Sequence, residues 1–269
     1  MTATAAAASK GRSHGLLSLF TLGAMPSKAV RGGLQVASLL VPLLLWTAIA
    51  SLGLVDEKFL PSPQAVFRSL ASMAESGILF QDIVASTGRV FGGFLLATLL
   101  AVPIGICMGV YPAICAICEP LIAMLRYMPA AAFIPLLIIY LGIGEEPKIA
   151  LIFLGTIYFN ILMVMDAVKF VPKELIETTL TLGGRSRQVL VQVVARYSLP
   201  RIIDTLRINI ATSWNLVVVA ELVAAEVGLG TLISLAHRIS PTGQTSAVLL
   251  VHGFISFAND LSFRLFLLL

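Results

Sequence analysis

Polar side chains are sparse in this chain, and those whose spacing could do chemical work fall into three groups. The first is Glu177-Thr178-Thr179, followed after three residues by Gly183-Gly184 and then by Arg185 and Arg187. A carboxylate near the end of one short helix, glycines that permit a sharp turn and cations at the start of the next helix make a lever for a partner to hold, not a catalytic centre. The second is a stripe of Thr205, Asn209, Thr212 and Ser213, which share one helical face at i, i+4, i+7 and i+8, with Thr156 and Asn160 one turn apart on the preceding apolar stretch. Amides and hydroxyls in apolar helices either line a solute path or hydrogen-bond helix to helix, and spacing alone leaves both open. The third is Arg126, a fixed positive charge that either attracts an anion or snorkels or pairs with an acid.

Catalytic motifs are missing. No Gly-x-x-x-x-Gly-Lys-Ser/Thr loop occurs, so any ATP and magnesium that drive this protein bind to another subunit; His-Glu-x-x-His and Gly-x-Ser-x-Gly are equally absent. Gly228-Leu-Gly230 has no strand before it and reads as a turn. Cys115-Ala-Ile-Cys118 has redox-motif spacing without a soluble redox unit around it, and His14, His237 and His252 are scattered along the chain. The cysteines therefore read as small buried apolar residues, and no metal or cofactor site is expected.

The elements that must position these groups are membrane helices. Hydrophobic residues make up 58% of the 269 residues and charged residues 12%, with a mean hydropathy of +0.97, whereas soluble domains carry about 25% charged residues. The net charge of +4 is not a nucleic-acid face, because the basic residues lie between apolar spans. Six stretches are long enough to cross a bilayer, near 34–54, 86–110, 118–141, 148–168, 202–224 and 246–267. The third, interrupted by Glu119, Pro120, Arg126, Pro129 and Pro135, reads as one kinked helix.

Lysine and arginine set the orientation. Lys10, Arg12, Lys28 and Arg31 precede the first span with no acid among them, whereas Asp56, Glu57, Glu75 and Asp82 outweigh Lys58 and Arg68 after it. Both termini are then cytoplasmic. Counting spans also puts residues 169–201 inside, where Lys169, Lys173, Arg185, Arg187, Arg196 and Arg201 face only Glu174 and Glu177. Residues 1–31 read as a cytoplasmic arm leading into an interfacial helix in preference to a cleaved signal peptide, and residues 32–269 as the transmembrane domain. The apolar ending Phe266-Leu-Leu-Leu269 has no polar flank, which is consistent with further residues beyond it. Gly88-x-x-x-Gly92 and Gly105-x-x-x-Gly109 predict close helix approach, favouring packing within the subunit over a subunit contact. Glu221, Glu226, Asp260 and Arg264 form ion pairs or mark a proton path, and the sequence does not choose.

With these residues in view, the chain from about residue 35 resembles the permease subunits of binding-protein-dependent ABC importers, of the nitrate, bicarbonate, sulfonate and taurine type. The matching stretches are Leu60-Pro-Ser-Pro63, Arg126-Tyr-Met-Pro129 with Ile134-Pro135, Leu141-Gly-Ile-Gly144 with Lys148, and the Glu177 to Gly183 loop. Thr178 and Thr179 replace the alanines of that family's loop, and Ala195-Arg196 stands where Leu-Pro is usual. The resemblance implies an all-α inner-membrane permease with six transmembrane helices and a cytoplasmic coupling loop at 170–200. It also implies a non-catalytic subunit that works beside a second permease copy, ABC ATPase subunits and an extracytoplasmic solute-binding protein. Glu177, Thr178, Thr179, Gly183, Gly184 and Arg185 would meet the ATPase through the 174–195 loop, and a small anion would pass along the polar stripe and Arg126. The alternatives are an ion-coupled secondary transporter or channel, which predicts internal inverted repeats that the sequence does not display, and a membrane scaffold, which needs no pathway.

Overall fold

The first two described helices start at short capping side chains. Ser27 accepts from the Val30 amide at 3.4 Å and opens α1 (Lys28–Ser51). Ser62 accepts from the Ala65 amide at 3.3 Å and opens α2 (Pro63–Glu75), with Pro63 in the first turn where no amide hydrogen is needed. The computed structural model describes the backbone of residues 26–239 and 242–268, so most of the arm expected over residues 1–31 lies outside the described residues. After α2 come α3 (Ile78–Val110), α4 (Pro112–Arg126), α5 (Ile134–Leu141), α6 (Glu146–Lys169), α7 (Lys173–Thr181), α8 (Ser186–Gln188), α9 (Ala195–Ala224), α10 (Leu229–Ile239) and α11 (Thr242–Leu268). The chain divides into two units, residues 1–56 with α1 and residues 57–269 with the rest.

Among the described residues five helical runs are long and apolar enough to cross a membrane: α1, α3, α6, the run from Ser186 through α9, and α11. The third expected span is not a gently kinked helix. It is α4 and α5 set at 84° to each other, joined by a 3-10 turn at Ala130–Phe133. Pro129 supplies no amide hydrogen and biases Met128 away from helical dihedrals, so the helix stops where a single proline kink would have let it continue. Counted as one crossing, the bent pair brings the total to six.

Small residues let α3 and α6 run side by side in the same direction. A Cβ added at Gly93 would lie 2.6 Å from the Ile152 Cβ, one at Gly105 2.7 Å from the Ile161 carbonyl oxygen, and one at Gly109 2.6 Å from Val168 Cγ1. The second expected glycine pair therefore packs within the subunit. In the first pair Gly88 meets nothing within 4 Å, and Gly93 makes the close approach instead. α9 packs antiparallel on this pair, and Ile210, Trp214 and Val217 join Phe94, Ile152 and Val164 in one buried core with Leu229 of α10 and Val248 of α11. Trp214 meets His252 of α11 edge to face, with ring centroids 5.4 Å apart.

At the end where α3 and α6 begin and α9 finishes, a polar network ties the helices together. Arg89, 4% exposed, donates through Nη1 to Glu221 at 2.6 Å and to the Val227 carbonyl at 2.7 Å. Through Nε and Nη2 it makes a bidentate bond with Glu145 at 2.5 and 2.8 Å, and Lys148 donates to Glu145 at 2.9 Å. Ser86 donates to Glu221 at 2.7 Å and accepts the Leu229 amide at 2.9 Å. Asp82 and Glu221 receive the amides of Gly228 and Gly230 at 2.6 and 2.8 Å. The first amides of α10 are thus capped by oxygens of α3 and α9, with negative charge at the positive end of the helix. Gly228 sits at φ +143, and an added Cβ would lie 2.6 Å from Arg89 Nη1, so the turn read from Gly228-Leu-Gly230 is also the floor of the network. At the opposite end Arg207 pairs with Asp204 at 2.9 Å and Asp260 at 3.6 Å, and Arg264 with Asp260 at 3.0 Å. Glu221, Asp260 and Arg264 are therefore ion-paired, while Glu226 is exposed.

Two outcomes follow from this packing. Gly105→Leu lowers the thermal midpoint of the detergent-solubilised protein by several degrees, because a side chain there overlaps α6, while Gly88→Ala shifts it by less than about 0.5 kcal/mol equivalent; thermal unfolding of both checks this. The Arg89 guanidinium, then Lys148, holds the Glu145 carboxyl down from 4.5 to about 2. A depressed carboxyl contributes stability that is fully present above pH 4.5 and lost as pH falls through about 2. Glu145 is 55% exposed on its side chain, so the contribution is at most about 1 kcal/mol. Acid titration of stability shows that component in the wild type and not in Glu145→Gln.

Candidate functional site

The loop that follows α6 folds as two helical pieces meeting at glycine. α7 starts after Pro172, with Glu174 in its first turn. It ends through amide bonds from Leu182 to Thr178 at 3.0 Å, Gly183 to Leu180 at 3.0 Å and Gly184 to Thr179 at 2.9 Å. Gly183 takes φ +86, the left-handed conformation that closes helices at glycine. A Cβ at Gly184 would lie 2.7 Å from the Thr179 carbonyl oxygen. Arg185 donates its amide to Gln188 Oε1 at 2.8 Å, which starts α8. Six π-helical residues, Val189–Val194, then carry α8 into α9.

Glu177, Thr178, Gly183 and Arg185 are exposed; Thr179 and Gly184 are half-buried. The Thr179 hydroxyl donates to the Leu175 carbonyl at 2.7 Å, and Thr181 does the same to Glu177 at 2.8 Å. Leu182 is 83% exposed beside the glycine turn, and Leu175 and Leu180 are exposed with it. The other side of the loop is anchored: Ile176 of α7, like Ile106 and Val110 of α3, packs against the buried cluster of Val168, Val171, Val189 and Val194. Arg201 lies 3.5 Å over the Phe170 ring. The loop is thereby packed against the ends of α3, α6 and α9.

Between α6 and α9 the polar side chains form a smaller group than their common face suggests. Asn209 Nδ2 donates to Asn160 Oδ1, Asn160 Nδ2 to Thr98 Oγ1 at 3.4 Å and Thr212 Oγ1 to Asn209 Oδ1 at 3.3 Å. Thr156 and Thr205 instead bond back to their own helices, at 2.7 Å to Ile152 and 2.8 Å to Ile202. Ser213 is buried with its hydroxyl unpartnered. Thr156, Asn160, Asn209 and Ser213 are buried, while Thr205 and Thr212 are half-buried. Arg126 is not drawn into this group; its Nη2 donates to the Tyr127 hydroxyl at 3.0 Å, its guanidinium lies 4.9 Å over that ring, and its buried Nε has no partner.

Sequence reasoning missed Arg89, Glu145 and Asn215. Only the length of α3 and the closeness of the α5–α6 and α9–α10 turns reveal the first two. Asn215 could have been noticed as a lone amide in an apolar run, and the structure leaves it exposed on α9. Cys115 lies 3.0 Å from Glu119 and 3.6 Å from Met165 Sδ. Among the described residues no three His, Cys, Asp or Glu side chains converge as a metal site.

With this geometry established, comparison with known proteins gives a consistent result. Residues 93–268 match the family described as "Binding-protein-dependent transport system inner membrane component". The chain is 34% identical over 236 residues to the taurine transport system permease protein TauC of Escherichia coli, covering 86% of each chain. It is 30% identical over 225 residues to a putative aliphatic sulfonates transport permease protein, SsuC, of Bacillus subtilis, covering 84% of this chain and 82% of the other. It is 28% identical over 208 residues to the bicarbonate transport system permease protein CmpB of Synechocystis, covering 73% of each. The fold is similar to a chain of the MetNI methionine ABC transporter in inward-facing conformations, with a TM-score of 0.62 at 20% identity, covering 71% of this chain and 94% of that one. An all-helical, multi-pass chain with this loop and these relatives belongs to the binding-protein-dependent transport system inner membrane component family and is an ABC-importer permease.

Proposed function

We propose that this permease moves a small oxyanion of the taurine, sulfonate, bicarbonate or nitrate class inward, driven by ATPase subunits that hold ATP and magnesium and grip the 174–195 loop. The observation that carries the reading is the loop itself: an exposed Leu182-Gly183 turn with Glu177 and Arg185 near it, backed by buried valines that lock it to α3 and α9. An exposed apolar ridge at the end of a membrane bundle is a docking feature, since water gains nothing from it. Glu177, Thr178, Thr179, Gly183, Gly184 and Arg185 form that contact. The helical run from Ser186 to Val223 is 38 residues long, about 55 Å at helical rise, so a push at the loop moves the far end of the bundle as a rigid body.

One chain supplies half of a path; a second, identical copy faces it, and a solute-binding protein delivers solute from the extracytoplasmic side. The basic residues of the loop support a cytoplasmic loop and cytoplasmic termini. Thr205, Thr212 and Arg126 face the path, and Asn160 and Asn209 stiffen the wall behind them through their helix-to-helix hydrogen bond, with Thr156 and Ser213 buried beside them. The relatives named for taurine, sulfonates and bicarbonate support an oxyanion, and Arg126 gives it a fixed counter-charge.

Single cysteines at Gln81 and Ser186, in a background lacking Cys107, Cys115 and Cys118, label from opposite faces of sealed vesicles, Gln81 from the extracytoplasmic one. Labelling from one face overturns the topology. Coupling is tested with Gly183→Val and Glu177→Arg. The first forces a β-branched residue to φ +86, at a cost of about 1–2 kcal/mol, and the second reverses charge at the contact. Both variants insert in the membrane, and ATP-dependent uptake drops about tenfold or more with ATPase lost or uncoupled. Uptake at wild-type rates by both overturns the coupling role.

A further inference from the structure

Asn215 is an exposed amide on an otherwise apolar stretch of α9, and it makes no hydrogen bond among the described residues. It stands eight residues beyond Arg207 and six before Glu221, about 12 Å and 9 Å along the helix. Arg207 and Glu221 are both ion-paired, one toward each end of the bundle. Asn215 is therefore near mid-depth, where a bare amide against hydrocarbon is costly and a polar side chain faces water or protein. Three asparagines of the apolar helices, Asn160, Asn209 and Asn259, each make a hydrogen bond within the chain. Asn215 shares its exposed side with Ile208, Ala211 and Leu222, at i−7, i−4 and i+7, and Ala211, one turn away, leaves space beside it.

A second observation comes from the neighbouring segment. Arg126 has a buried Nε with no partner among the described residues. The turn that follows it reaches α9 next to Asn215: an added Cβ at Gly155 would lie 3.1 Å from Ala130 Cβ and 3.3 Å from Leu216 Cδ2. The segment that carries an unsatisfied guanidinium nitrogen thus runs on to meet α9 beside the unsatisfied amide.

We propose that Asn215 is a solute-contacting, specificity-determining residue, whose Nδ2 donates a hydrogen bond to an oxyanion oxygen as the solute passes mid-membrane. This rests on the permease reading above. An amide donor adds no charge of its own, so it holds an anion without trapping it, and an aspartate at the same place repels it.

The test uses the complete transporter reconstituted in vesicles, with taurine, ethanesulfonate, bicarbonate and nitrate as probes. In the cysteine-free background Asn215→Cys reacts with a small charged thiol reagent, and a transported probe slows that reaction about threefold or more. On complexes that still hold the ATPase, Asn215→Leu raises KM about tenfold, as expected for one hydrogen bond to a charged group, Asn215→Gln recovers part of the loss, and Asn215→Asp loses more uptake than Asn215→Leu. No reaction at Asn215→Cys, disulfide cross-linking between two copies without protection by solute, or equal KM in the leucine and aspartate variants overturns the proposal. Failure of the wild type to transport any of the four probes contradicts the oxyanion reading, and the thiol reaction still decides whether Asn215 faces a water-filled path.

Discussion

Arg89 is buried inside an apolar bundle, and much of the fold is arranged around keeping it paired. Its guanidinium faces Glu221 from α9, Glu145 from the turn before α6 and the Val227 carbonyl from the turn before α10. A charge taken out of water here is tolerated only with partners and saturated hydrogen bonds, and deleting the buried Glu221 costs about 3–5 kcal/mol because it leaves Arg89 stranded, whereas the exposed Glu145 contributes less. Three helices and the start of a fourth are therefore fixed at one end by electrostatics. Along their length α3 and α6 are held by close contact at Gly93, Gly105 and Gly109, where no strong charge is available. The two devices divide the bundle: directional ionic bonds at the end, and close van der Waals contact through the apolar middle, where lipid offers no hydrophobic drive for helices to associate.

This division suits a machine that moves as a block. The Arg89 network and the core around Trp214 make α3, α6, α9, α10 and α11 one unit, and the valine cluster under α7 ties the loop to the same unit. Motion driven at the loop then has nowhere to dissipate within the subunit, and the change must appear at surfaces that remain unpartnered. The exposed faces of α5 and α9, bearing Ile139, Tyr140 and Asn215, are such surfaces.

Much of this was legible in the sequence, for physical reasons that differ by element. Spans announce themselves because about 20 apolar residues in a row have few other uses, and the Glu177 to Gly183 loop does so because its signal is local. The bend between α4 and α5 was visible as prolines but not as an angle, since a proline in a membrane helix either kinks or breaks it and neighbours decide which. The Arg89 network was hidden: Arg89 and Glu221 are 132 residues apart, and a charge near the start of an apolar stretch looks like an ordinary flank. Asn215 was passed over because the stripe through Asn209 selects one helical face, and six residues further on the helix has turned about 240°. The shared face of Asn209 and Ser213 was read correctly as geometry, but whether it bonds to α6 or meets solute depends on α6, which periodicity does not locate.

The proposed coupling means that this chain carries solute only when an ATPase subunit works its loop. Uptake of radiolabelled taurine, ethanesulfonate, bicarbonate or nitrate into vesicles holding the purified permease, with and without the ATPase, and with ATP or an imposed ion gradient as the energy source, tests this. Uptake is expected only when both chains and ATP are present, and none from a gradient alone. Uptake by the permease alone, driven by a proton or sodium gradient, would contradict it.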